Sequence, residues 1–156
     1  MEERTLALIN LLVAAQSDVI EEASGALQRS HLIHYEAAGS AEVNRHLTDL
    51  YELVLECIRE RDLGAICRYA ETVAHERFES GFGIGEVQTA FNVLEETIWH
   101  VVVSKIPSPD LAEGTGLIGT VLGAGKDTLA RTWVSLASNH HVPSLNLSAV
   151  FEGTGS

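Results

Sequence analysis

Basic residues are scarce in this sequence: Lys and Arg together number 10 against 22 Asp and Glu, for a formal charge of −12. A surface that negative repels phosphate backbones and anionic headgroups, which argues against nucleic acid or a membrane surface as the partner. Cysteines are equally few. Cys57 and Cys67 form no closely spaced pair and lie among apolar neighbours, so they read as small buried thiols of a reducing, cytoplasmic compartment. Long hydrophobic runs are missing as well. The uncharged stretches 5–17 and 114–125 fall short of the roughly 20 residues that a membrane span needs, and glycine dilutes the second. The start offers small residues for cleavage at Val13-Ala14-Ala15, but its acidic beginning, Glu2-Glu3, is unlike a secretory signal.

What is present is enough for one core. A chain of 156 residues is one domain and buries roughly 68–70% of its unfolded surface, so it needs neither disulfide nor metal to fold. The apolar fraction of 46% is that of a globular protein and not of a disordered one.

Helical periodicity runs to about residue 139, and strict strand-like alternation is absent. Leu8, Leu11, Leu12 and Ala15 form a first short stripe that is expected to end at Ser17-Asp18, a cap for a second segment from 19 to 38. Gly39-Ser40 breaks that segment. Val43, Leu47, Leu50, Val54 and Cys57 then step by four and three, laying a stripe along about 20 Å of helix. Asp62 ends this helix and caps the next, where Leu63, Ile66, Ala70, Val73, Ala74 and Phe78 are core candidates. Gly81, Gly83 and Gly85 interrupt it, because three glycines in five residues carry too much backbone entropy for a helix interior. A fifth segment carries Val87, Phe91, Leu94, Ile98 and Val101. Pro107-Ser108-Pro109-Asp110 opens the last, with Leu111, Ile118, Leu122, Leu129, Trp133 and Leu136 on its buried face. The expectation is an all-α helical bundle of four long helices and two shorter N-terminal segments. It occupies 1–139 as a single domain, with 140–156 as a flexible tail or the start of a linker.

Motifs for chemistry mostly fail their context. Gly114-Thr115-Gly116-Leu117-Ile118-Gly119 spells a dinucleotide-binding pattern, but no strand precedes it and Glu113 would repel phosphate. Gly116, Gly119 and Gly123 instead line one helix face, where they would let another helix approach closely. Glu42/His46, Glu71/His75 and Glu96/His100 are each four apart and can pair on one helix face. No Glu-x-x-His occurs, so a carboxylate-bridged metal site is not expected. No catalytic residue and no cofactor is assigned. Trp99 and Val103 stand off the main apolar stripe of their helix and are candidates for a second apolar surface, or for contact with another core helix.

The stretch from Ala74 through Glu86 to Leu94 resembles the N-terminal domain family of RsbR-type stressosome co-antagonists, the RsbRD branch. Arg77, Gly81, Phe82 and Glu86 occupy the places of that family's motif, whereas Glu95 stands where the family has Arg. The resemblance implies a helical sensory or regulatory module, similar to globin-like domains that lack haem and precede an effector such as a STAS domain or a histidine kinase. Such a module would be non-enzymatic, would homodimerise, and would act on protein partners of a signalling complex. The residues also read without the family: Gly81 as a helix C-cap, Phe82 or Ile84 as a staple into the core, Glu86 as an acid at a helix start, and Arg77 as a bridge to Glu86 or its acidic neighbours. Two other functions stay open. One is a globin-like pocket for haem, a tetrapyrrole or a fatty acid, with His75 or His100 as ligand; the other is a purely structural interaction module.

Overall fold

The computed structural model describes residues 3–141. Leu8, Leu12, Val19, Ala23 and Leu27 are all buried, and their steps of four and seven keep one face inward through 27 residues of α1 (Glu3–Arg29). The break expected at Ser17-Asp18 is therefore not there. Both side chains face solvent, and a residue with capping chemistry continues a helix when its polar group points outward and the apolar period runs on. The chain turns instead at His31, which takes a left-handed φ of 52°. α2 (Ile33–Ala38) is only six residues long, and Gly39, at φ 88°, ends it and leads into α3 (Ser40–Glu60).

Arg61 closes α3 in the left-handed region, with the Asp62 amide donating to the Cys57 carbonyl at 3.2 Å. Asp62 Oδ1 accepts from the Gly64 amide at 2.6 Å and starts α4 (Gly64–Glu79). Leu63, a core candidate by spacing, is 37% exposed in that turn. Gly81, at φ 86°, ends α4 as expected, and the Phe82 amide reaches back to the Arg77 carbonyl at 3.0 Å. α5 (Ile84–Lys105) and α6 (Ser108–His141) complete the chain. The architecture is an all-α bundle; residues 142–156, most of the expected tail, lie outside the described residues.

α6 packs chiefly on α4 and α5, and α1 on α3 and α5. Ile66, Leu94, Ile98, Ile118, Leu122 and Leu129 are all fully enclosed where these helices meet, each contributing about 1.5–3 kcal/mol of burial. Close approach onto α6 needs the glycine at Gly125, whereas Gly114 leaves room for ordinary contact. A Cβ on Gly125 would lie 3.0 Å from Ile66 and 3.1 Å from Phe91, and one on Gly114 would lie 3.7 Å from Leu8 and 3.8 Å from Val102. Gly116, Gly119 and Gly123 would meet nothing within 4 Å, so within the chain they serve no helix contact. No helix among the described residues is long and apolar enough to cross a membrane.

Candidate functional site

The turn between α4 and α5, with α2 laid across it, gathers the motif residues. Gly81 lets the chain reverse, which sets the Phe82 ring against α2: its centroid is 4.7 Å from that of His34 and 5.1 Å from that of Tyr35, the latter edge-on. Glu86, in the first turn of α5, accepts from His34 Nδ1 at 2.9 Å. Tyr35 is buried beneath, and burial raises its hydroxyl pKa despite the opposing pull of Arg77.

Arg77 is the hub. It does not bridge to Glu86, as the sequence suggested, because His34 takes that carboxylate. Its guanidinium lies 5.2 Å above the Phe82 ring, donates to His46 Nε2 on α3 and acts on the Tyr35 hydroxyl as a nearby cation. That bond requires an unprotonated Nε2, and burial followed by the Arg77 cation holds the His46 pKa below its usual value. His46 also lies 3.1 Å from Glu42 on its own helix. No carboxylate among the described residues pairs with Arg77, and its Nε is buried with no hydrogen-bond partner. Beneath the guanidinium is a cavity of about 20 Å³, room for one water, with Tyr35, His46, Tyr69 and Arg77 as its polar lining and Leu47 and Phe91 among its apolar walls. Burial raises the Tyr69 hydroxyl as well.

The matching family model is that of the RsbT co-antagonist protein rsbRD N-terminal domain, over residues 17–134. The chain belongs to this family. No curated protein matches it. The matched span of this RsbRD N-terminal domain contains every residue of the corner, from His34 to Phe91.

The remaining sequence candidates lie elsewhere. His75 is exposed on α4, and His100 on α5 is 63% exposed, with Glu22 of α1 at 3.9 Å. Of the three expected Glu/His pairs, only Glu42/His46 comes within 4 Å among the described residues, and there Nε2 accepts from Arg77 and does not donate to the carboxylate. Trp99 and Val103 are 42% and 53% exposed on α5. The described residues hold no group of three or more His, Cys, Asp or Glu placed to share a metal. Sequence reasoning missed His34, Tyr35 and Tyr69 as members of the corner. No local signal pointed to them, since the His34–Glu86 pair alone spans 52 residues.

Proposed function

We propose that this RsbRD N-terminal domain is a non-enzymatic, cytoplasmic regulatory module that acts through protein partners of a stressosome-type complex and through homodimerisation. The observation that carries the regulatory reading is the family match over residues 17–134. The dimer reading rests on apolar side chains with no cover in the single chain, Trp99 and Val103. Gly114 meets Val102, and Gly125 meets Phe91, so α5 and α6 run antiparallel and Trp99 stands level with the open stretch around Gly116 and Gly119. An exposed aromatic on α5 and glycines on α6 that leave space are features on which a second copy can approach closely.

Light scattering from micromolar to millimolar protein tests the dimer. A two-chain mass is expected, falling to one chain in the Trp99→Glu/Val103→Glu variant with helical circular dichroism unchanged. A one-chain mass for the unaltered protein at every concentration would refute it. Titration with purified RsbT, alone and with a STAS-domain co-antagonist, tests the partner reading, and the absence of any complex with either would overturn it.

A further inference from the structure

We propose that the α2 corner is a gated binding site for a small carboxylate with an apolar body, Arg77 holding the carboxylate and Tyr35 closing the entrance. Two spaces meet at one partition. Outside, a cleft of about 280 Å³ opens between α2 and the start of α3, bordered by Gln28, Glu36 and Gly39. Inside is the small cavity on Arg77. Leu27, Tyr35 and Val43 line both, so the Tyr35 ring is the movable wall between them.

The wall is mounted to move. α2 is six residues long and is flanked by two left-handed positions, His31 and Gly39. Ile33 in its first turn is 74% exposed, so it does not anchor the helix. What fastens α2 to the corner is the His34–Glu86 pair and the packing of His34 and Tyr35 on the Phe82 ring. As Tyr35 swings out, a ligand carboxylate reaches Arg77 and the two spaces become one.

The chemistry inside selects the ligand. Arg77 is half-buried and no carboxylate of the described residues lies within ion-pair distance of it, although the chain has 22 acids. The nearby acids are engaged elsewhere: Glu42 with Arg45, and Glu86 with His34. Arg77 Nε is the open donor, and a carboxylate is the group that a guanidinium edge fits. Leu47, Leu50, Val73, Val87 and Phe91 supply an apolar wall for the rest of the molecule. A phosphate monoester would bring a second charge that nothing inside could pair, so the site suits a monoanion.

The site lies within one chain and does not depend on dimerisation. Calorimetric titration of the full chain with octanoate, and with 1-octanol as its neutral counterpart, is the test. Octanoate should bind at least about ten-fold more tightly than 1-octanol, the factor expected of a charge-assisted pair in a sheltered site. Arg77→Gln should abolish that preference. Ala90→Leu, which fills the inner cavity while leaving Arg77 in place, should weaken octanoate binding as well. Equal affinity for the acid and the alcohol, no binding of octanoate, undiminished binding by Ala90→Leu, or thermal stabilisation by sodium chloride equal to that by octanoate would each overturn the proposal.

Discussion

Gly123 and Gly125 lie two positions apart on α6, and the same substitution should move stability in opposite directions at the two sites. Alanine at either position gains the helix propensity that glycine lacks, about 0.5–1 kcal/mol. At Gly123 the new methyl meets nothing within 4 Å, so the gain is kept in full. At Gly125 it would stand 3.0 Å from Ile66 Cγ1 and 3.1 Å from Phe91 Cε1. These neighbours are 0% and 2% exposed and come from different helices, α4 and α5. Neither can yield without pressing on the rest of the core, and overpacking of this kind costs about 1–3 kcal/mol. The net loss at Gly125 is on the order of 1 kcal/mol, and the two variants should differ by about 2 kcal/mol. For a domain of this size that is a separation of about 4–8 °C in Tm. Thermal unfolding followed by circular dichroism at low micromolar protein measures it directly. A Gly125→Ala variant as stable as Gly123→Ala would show that α6 is not in close contact with α4 and α5 there.

Tyr51 is 1% exposed and its hydroxyl donates to the Leu12 carbonyl at 2.5 Å, tying α3 to α1. Tyr51→Phe should cost about 1 kcal/mol in urea unfolding with no change in m. Gly81→Ala puts a side chain at φ 86° and should cost about 1–2 kcal/mol by the same assay. Glu86→Gln removes a pair whose histidine is one-third exposed, so global stability should fall by less than about 1 kcal/mol, while hydrogen exchange in α2 should accelerate. The His46 pKa is lowered in the folded chain, so the unfolded chain binds the proton more readily; the contribution of His46 is full above about pH 6.5 and is lost as the pH falls below it. His46→Gln should flatten that part of the stability–pH curve, and an unchanged slope would remove His46 as its source.

Much of the fold is legible in the sequence because its signals act over a few residues. The four-and-three spacing of Val43, Leu47, Leu50, Val54 and Cys57 put all five in the core, and Gly81 ended α4 because only its left-handed φ allows the reversal. The misplaced break at Ser17-Asp18 has the same origin: capping chemistry was visible, but the continuation of the apolar stripe into Val19 and Ala23 outweighed it. At the corner the sequence singled out Arg77, Gly81, Phe82 and Glu86 but not their contacts.

By itself, then, the sequence determined that the chain is helical, where four of its turns lie and which faces are apolar, since propensity, capping and the 3.6-residue period are properties of neighbouring residues. Only the tertiary structure decided that Gly125 and not Gly123 is crowded, that Glu86 goes to His34, and that Arg77 is left facing His46 and a small cavity without a carboxylate. Those contacts join residues 31 and 52 positions apart. Their partners are chosen by how α2 and α3 pack around the α4–α5 turn, a choice that spacing along the chain does not encode.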